Sequence, residues 1–328
     1  MSRIAILGAG SLGTALAIAL HKRDRTIYLW TIEPDVVHTL KRSHENTKYL
    51  PGFPVPTATH ATTVIEEALE DIDAAVLAVP SFAVREVIRA AVPYLPESAI
   101  LASAAKGLEE GTWLRMSQVI GQELPPDLPV PVVTISGPSL SAEMAHRSTA
   151  GLDAACEDLD AARRLRQHLG TSLFRLRPTN DVAGVEAGGT FKNAYAIGMG
   201  IGDGFGWGMN ERSVYLTKAI AEIARLATAL GGKRSTVYGL SGLGDLAVTS
   251  FSPHSRNRML GEDLARGRSL REVLQSLVSV AEGVPAASAA HAIAAQHHLR
   301  LPIAVALHQI LHDGADPKSL QRAVTSAR

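Results

Sequence analysis

The segment Arg3-Ile-Ala-Ile-Leu-Gly8-Ala-Gly10-Ser-Leu-Gly13-Thr-Ala-Leu-Ala constrains this chain more than any other. An apolar run of buried-strand type breaks into glycines and resumes as a helix. That context makes the otherwise weak G-x-G-x-x-G spacing specific. Gly8 permits a tight turn, Gly10 lets the backbone approach a pyrophosphate, and Gly13 lets the helix pack closely on the strand. The helix that follows would aim its unpaired N–H groups and positive dipole end at phosphates. A second strand, Thr26 to Trp30, leads to Glu33, where a ribose-binding carboxylate is expected. The pattern implies a nicotinamide or flavin dinucleotide, and its position at the front of the chain favours nicotinamide.

The chain has 328 residues, 46% apolar and 20% charged. That is an ordinary globular composition, long enough for about two domains with ample core. Lys plus Arg and Asp plus Glu both number 32, so no charge excess favours nucleic acid or an anionic membrane surface. Cys156 is the single cysteine, which excludes an intrachain disulfide and a cysteine-based metal site. The apolar stretch from Ile4 to Leu20 is short and interrupted by glycines. It reads as strand, loop and helix rather than as a signal or membrane segment. A cytoplasmic location is the expectation.

Strand and helix alternate through the first half. Asp73 to Val79 is predicted as a buried parallel strand ending in Pro80-Ser81, and Ala99 to Ala105 as the next, ending in Lys106-Gly107. Val130 to Ile135 follows, ending in Ser136-Gly137-Pro138-Ser139 with a helix beyond. This implies an α/β domain of Rossmann type, doubly wound, with a parallel sheet and helices on both faces. Ligands of such sheets gather outside the carboxyl ends of the strands. The glycine loop, Pro80-Ser81, Lys106 and Gly137-Pro-Ser139 all fall at that edge. Beyond about residue 185 the spacing turns helical, which predicts a dinucleotide domain over 1–185 and an all-α domain over 186–328. The first helix there, from Gly184, is read as loosened by glycines and separated by the loop Gly200–Gly208 from a helix over Glu211–Leu230. Further helices are predicted over Met259–Arg266, Leu270–Val278, Pro285–His297 and Ile303–His312.

Lys192 lies inside an apolar, glycine-rich helical stretch. Burial would depress its pKa and make it a proton donor or acceptor; the alternative is a lysine whose stem is buried and whose head reaches water. Lys106 closes a strand at the cofactor edge, and its alternative is an exposed loop lysine. Two lysines near a nicotinamide would suit polarising and protonating a ketone as hydride arrives. Asp245, in Gly242-Leu-Gly-Asp245-Leu, is placed to orient a hydroxyl or hold a lysine charged, or else to cap a helix. His254-Ser255-Arg256-Asn257-Arg258 at a helix start offers a phosphate cradle, or a solvated polar helix end. His308 and His312 have the i,i+4 spacing of a metal pair, but no nearby carboxylates complete a site, and a surface or packing role is expected. No metal is expected.

The order Gly8-Ala-Gly-Ser-Leu-Gly-Thr-Ala-Leu-Ala, Asn46-Thr-Lys-Tyr-Leu-Pro51, Lys106-Gly, Ser136-Gly-Pro-Ser139, Gly184-Val-Glu…Gly-Gly-Thr-Phe-Lys192-Asn, Gly242-Leu-Gly-Asp245-Leu, Ser255-Arg-Asn257 and Glu282-Gly strongly resembles the NAD(P)-dependent sn-glycerol-3-phosphate dehydrogenases. The resemblance runs from Ile4 to about Leu311. It implies reversible hydride transfer between dihydroxyacetone phosphate and glycerol 3-phosphate, supplying the glycerophospholipid backbone. Lys192 then matches the general acid/base, Lys106 a second lysine touching substrate and cofactor, and Asp245 the group that orients them. Ser255, Arg256 and Asn257 match residues holding the phosphate and adjoining oxygens, with Gly137 and Ser139 completing the pocket. Ser11, Leu12, Ser141, Arg256, Val280 and Glu282 match cofactor contacts, beside Gly8, Gly10, Gly13, Ile32, Glu33 and Lys106. A homodimer through the helical domain fits its apolar content.

Two positions depart from the family. The residue commonly aromatic is Leu12, which stays apolar. The residue often His or Arg in bacterial members is Ile32, followed by Glu33. An apolar residue beside an acid favours the 2′-hydroxyl of NAD over a 2′-phosphate, so NADH is expected to serve at least as well as NADPH. A hydroxy-acid dehydrogenase shares the two-domain plan but has less need of the Ser255-Arg-Asn257 cradle. A non-catalytic dinucleotide sensor should have lost Lys106, Lys192, Asp245 or Arg256, and all are present.

Overall fold

The computed structural model describes residues 2–277 and 280–325. The chain divides into two compact units, one made of Met1–Ala105 with Leu114–Val182 and the other of Lys106–Trp113 with Ala183–Arg328. The excursion Lys106–Trp113 therefore packs with the helical unit, although it lies in sequence within the stretch expected to form the first domain.

The first unit contains strands β1 (Ser2–Leu7), β2 (Arg25–Trp30), β3 (Glu45–Asn46), β4 (Leu50–Pro54), β5 (Thr59–Thr62), β6 (Ala74–Leu77), β7 (Ile100–Ser103), β8 (Val132–Ser136), β9 (Ala150–Ala155) and β10 (Phe174–Thr179). Its helices are α1 (Ser11–Ala19), α2 (Pro34–Ser43), α3 (Ile65–Leu69), α4 (Val84–Ala91), α5 (Met116–Glu123), α6 (Ser141–Ala145) and α7 (Leu159–Leu169). The main sheet has the order β10-β9-β8-β7-β6-β1-β2-β5, and β3 and β4 form a separate antiparallel pair. Side chains alternate across the sheet: Ile4 and Ile6 join one apolar layer with Leu16, Leu29 and Val76, while Ala5 and Leu7 join the other with Leu77, Val84 and Leu101. Burial on both faces explains why these strands are continuous apolar runs rather than alternating ones. Strand order reverses at β1, whose neighbours are β2 and β6, and such reversals open a crevice at the carboxyl ends.

The sheet is mixed rather than wholly parallel, because β9 runs antiparallel to β8. Neither β9 nor β10 is among the strands expected from the sequence. Alanine and glycine dominate β9, which lacks the β-branched composition that announces a strand, whereas Phe174-Arg-Leu-Arg177 in β10 carries the apolar/polar alternation of a half-buried strand.

The second unit is helical: α8 (Val182–Gly204), α9 (Met209–Ala229), α10 (Arg234–Val237), α11 (Asp245–Phe251), α12 (Arg256–Ala265), α13 (Leu270–Ser276), α14 (Gly283–Gln296), α15 (Pro302–His312) and α16 (Ser319–Thr325). Its core gathers Phe191, Tyr195, Tyr215, Ile223, Leu260, Ile293 and Leu307, among others. α8 runs on through Gly200 to Gly204 instead of ending in the expected loop. A Cβ at Gly200 would lie 1.9 Å from the Arg258 carbonyl oxygen, and one at Gly204 would lie 2.5 Å from the Ala265 Cβ. These glycines are a contact surface for α12, not helix breakers. The predicted end of the 270–278 helix at Val278 lies outside the described residues; α13 closes at Ser276. Among the described residues no helix is long and apolar enough to cross a membrane.

Candidate active site

The helical unit brings Lys192, Lys106 and Asp245 together. Lys192 sits midway along α8 and is 6% exposed, and Asp245, the first residue of α11, is 1% exposed. The Lys192 ammonium lies 3.0 Å from Asp245 Oδ1 and donates to Thr249 Oγ1 at 2.6 Å. Lys106 donates to Asp245 Oδ2 at 2.6 Å. Thr249, one turn beyond Asp245 on α11, donates in turn to Asp245 Oδ1 at 3.4 Å. One buried carboxylate thus holds two ammonium groups, each on its own oxygen. Of the two readings the sequence left open for Lys192, the buried one is realised.

Electrostatics follow from this packing. Burial pulls the Lys192 ammonium down to about 8; Asp245 opposes that, while the positive charges of Lys106 and Arg256 add to it. Burial pushes the Asp245 carboxyl up, but the charges and hydrogen bonds of Lys106 and Lys192 outweigh it and hold the carboxyl below its usual range. A buried lysine with a pKa near neutral is suited to giving and taking a proton.

Around this centre the α12 and α14 termini supply polar groups. Ser255 caps α12, its Oγ accepting from the Arg258 N–H. Arg256 donates to the Val280 carbonyl at 3.3 Å. Asn257 donates from Nδ2 to Asn193 Oδ1 at 3.0 Å and accepts at Oδ1 from the Gly283 N–H at 3.1 Å. That N–H opens α14, next to its N-cap residue Glu282. Arg258, by contrast, is committed to Asp203 at 2.6 Å and to Glu262 at 2.7 Å. Within His254–Arg258, Arg258 is thus engaged in ion pairs, apart from the contacts made by Ser255, Arg256 and Asn257.

Gly8, Gly10, Ser11, Leu12, Gly13, Ile32, Glu33, Gly137, Ser139 and Ser141 all belong to the first unit. Gly8 has φ +118°, and a Cβ there would lie 2.7 Å from the Ala78 carbonyl oxygen. A Cβ at Gly13 would lie 1.8 Å from the Gly8 carbonyl oxygen, so helix and loop touch through backbone alone. Gly10 is the N-cap of α1 with no capping side chain, and Thr14 is the first residue whose N–H returns to it. The N–H groups of the first turn thus lack the intrahelical acceptors that later turns have. A bare helix start over a glycine turn fits a pyrophosphate. Leu12 packs against the sheet core, Ile32 is 77% exposed, and Glu33 is the N-cap residue of α2. Gly137, with φ +151°, leaves β8 toward Ser139, whose hydroxyl donates to the Gly137 carbonyl at 3.0 Å, and toward Ser141 at the start of α6.

The chain matches the model of the NAD-dependent glycerol-3-phosphate dehydrogenase N-terminus over residues 3–162 and that of the C-terminus over residues 181–322. The chain belongs to the NAD-dependent glycerol-3-phosphate dehydrogenase family. It is 39% identical over 314 residues to the glycerol-3-phosphate dehydrogenase [NAD(P)+] of Bacillus subtilis (strain 168), covering 96% of this chain and 91% of that protein. The crystal structure of glycerol-3-phosphate dehydrogenase from Coxiella burnetii has a TM-score of 0.92 and 35% identity, covering 99% of both chains. D-mandelate dehydrogenase in complex with NADH shares the fold, with a TM-score of 0.63 at 13% identity.

One participant escapes notice in the sequence, and a second appears there in a motif but without a role. Thr249 carries no motif of its own, yet its i,i+4 spacing from Asp245 puts its hydroxyl on the face that meets Lys192. Asn193 follows Lys192 directly, and only the fold shows that it orients Asn257. The late histidines stack: His291 on His308 at 4.1 Å between centroids, and His308 on His312 at 4.9 Å.

Proposed function

We propose that this protein catalyses the reversible reduction of dihydroxyacetone phosphate to sn-glycerol 3-phosphate with NADH or NADPH, the reaction that supplies the glycerophospholipid backbone. The observation that carries the proposal is the buried Lys192–Asp245–Lys106 cluster, in a chain of the glycerol-3-phosphate dehydrogenase family. The dinucleotide, when bound, supplies or accepts the hydride. Gly8, Gly10, Ser11, Leu12 and Gly13 would hold its pyrophosphate, with Ile32, Glu33 and Ser141 beside them in the first unit. Lys106, Arg256, Val280 and Glu282 would serve it from the second.

Lys192 donates a proton to the carbonyl oxygen during reduction and takes it back during oxidation. Its lowered pKa keeps both forms accessible near neutral pH. Lys106 lends positive charge to the developing alkoxide, and Asp245 fixes both ammonium groups so that neither must reorganise during the step. Ser255, Arg256 and Asn257 bind the phosphate and adjoining oxygens, the guanidinium offering the planar fork that phosphate favours; Gly137 and Ser139, in the first unit, match the family's remaining substrate positions. A hydroxy-acid substrate, with a carboxylate but no phosphate, would have less need of that cradle. A non-catalytic sensor would have no use for a pair of lysines on one buried carboxylate, an arrangement that is costly to desolvate.

The test is loss of absorbance from NADH and, separately, NADPH in the presence of dihydroxyacetone phosphate. Turnover is expected with both, with NADH at least as effective. Absence of turnover with either, in protein that binds the dinucleotide, would overturn the proposal.

A further inference from the structure

Ile32 and Glu33 are not the whole of the surface that would meet the adenosine ribose. The segment between β3 and β4 is tied to the glycine loop. Asn46, fully buried, donates from Nδ2 to the Ala9 carbonyl at 2.7 Å and to Thr14 Oγ1 at 2.8 Å, and its Oδ1 accepts from the Tyr49 N–H at 3.1 Å. Ser11 Oγ donates to the Tyr49 carbonyl at 2.7 Å. These bonds fix the two side chains in between. The Tyr49 hydroxyl donates to Glu33 Oε1 at 2.8 Å, and Lys48 Nζ is ion-paired with Glu33 Oε2. Asp35 Oδ2 lies 3.7 Å from the same ammonium, and the Tyr49 ring lies 5.2 Å from it.

A carboxylate at this point of the fold accepts from a ribose 2′-hydroxyl, whereas a 2′-phosphate needs a cation. Here the acid carries its own cation. Glu33 and Asp35 alone would repel a phosphate dianion, but an ammonium held between them offers the opposite sign where that phosphate would enter. Arg25 opens β2 at the end opposite Glu33 and is not available for the task. Its guanidinium donates to the carbonyls of Leu20, Leu169 and Gly170 at 2.9–3.2 Å.

We propose that Lys48 is a specificity-determining residue: it compensates Glu33 and takes up the 2′-phosphate of NADPH, so a chain with an acid at its ribose site still accepts the phosphorylated cofactor. This rests on the reading of the Gly8–Gly13 loop as the dinucleotide site. When a 2′-phosphate binds, Lys48 exchanges the Glu33 carboxylate for phosphate oxygens and Tyr49 continues to hold Glu33. When NAD binds, the Lys48–Glu33 pair stays intact.

The experiment is calorimetric titration with ADP-ribose and with 2′-phospho-ADP-ribose, ligands that differ only at the 2′ position and cannot turn over. Wild type, Lys48→Ala and Glu33→Gln are compared. Lys48→Ala should weaken the 2′-phosphorylated ligand by about tenfold, the loss of one charge-assisted contact, and leave ADP-ribose nearly unchanged. Glu33→Gln should tighten the 2′-phosphorylated ligand relative to ADP-ribose, and added salt should shrink the difference. Equal changes for the two ligands in either variant would overturn the assignment. Failure of the wild type to bind ADP-ribose at all would overturn the dinucleotide site itself, and the assignment with it. The Lys48 side chain is 42% exposed, so its replacement leaves the fold intact.

Discussion

Lys192 and Asp245 depend on each other for their charge states, and pH reports that dependence. In the proposed mechanism, reduction needs the ammonium form of Lys192. With a pKa of about 8, reduction should hold at neutral pH and decline above about 8, while oxidation of glycerol 3-phosphate should rise over the same interval. Asp245→Asn deletes the charge that raises this pKa, so both limbs should move to lower pH. Lys106→Met deletes a charge that lowers it, so both should move to higher pH. The midpoints belong to the coupled trio rather than to one residue, and pH–rate profiles of the three proteins check the signs. Asp245→Asn should also cost about 3–5 kcal/mol of stability, the penalty for stranding buried charges, visible in denaturant titration. Lys192→Ala should reduce turnover by roughly 10²–10⁴-fold, the usual contribution of a positioned general acid. An unchanged kcat in that variant would remove Lys192 from the mechanism.

Among the elements, α8 has the most demanding environment, since it carries Lys192 and is buried over most of its length. A Cβ at Gly188 would lie 2.8 Å from the Ser241 carbonyl oxygen, in the turn that precedes Asp245. Close backbone approach at this point is what lets Lys192 and Asp245 meet. Tyr195, one turn beyond Lys192, donates to Glu222 Oε2 on α9 at 2.9 Å. The Glu222 carboxylate also accepts from the N–H groups of Ile303 and Ala304 at 2.9 and 3.0 Å. A side chain from one helix thus caps another, α15, whose first residue is Pro302 and whose next N–H groups would otherwise lack acceptors. Burial raises the Glu222 carboxyl, and those N–H groups and Tyr195 oppose the rise. Glu222→Ala should destabilise the helical unit by about 3 kcal/mol or more, because bonds to a charged group are lost and buried donors are orphaned. Thermal unfolding should show it. Glu222→Gln should recover part of the loss, since its carbonyl can still accept.

At the scale of the molecule, the notable fact is the excursion Lys106–Trp113, which leaves the sheet of one unit and packs within the other. Leu108, 6% exposed, lies in the helical core with Trp113 against it. These residues anchor the short stretch that presents Lys106 to Asp245. Leu108→Ala should cost about 2–5 kcal/mol as a core truncation and should also raise KM for the phosphorylated ketone, because Lys106 loses its support. Leu108→Met, which keeps the volume, should restore both to near wild type. A KM unaffected in Leu108→Ala would show that Lys106 is positioned by its ion pair alone.

Much of this architecture follows from local patterns. The strand, glycine turn and helix at the start are encoded in one contiguous stretch, as are the buried strands around Val76, Leu101 and Ile135 and the Ser255 cap, because each depends on neighbours a few residues away. Lys192, Lys106 and Asp245 stand out for the same reason: a charge among glycines and apolar residues is conspicuous wherever it sits. What the sequence could not show depends on distance along the chain. The direction of β9 depends on the path its connection takes, and its alanines carry no strand signal. The continuation of α8 through Gly204 depends on α12, more than fifty residues later, accepting its bare backbone. The pairing of Lys106 with Asp245 spans 139 residues, and that of Lys48 with Glu33 requires a hairpin tied back to the glycine loop. Local chemistry determined which groups this protein has to work with; only long-range packing decided which of them share a carboxylate, and so which protons they hold.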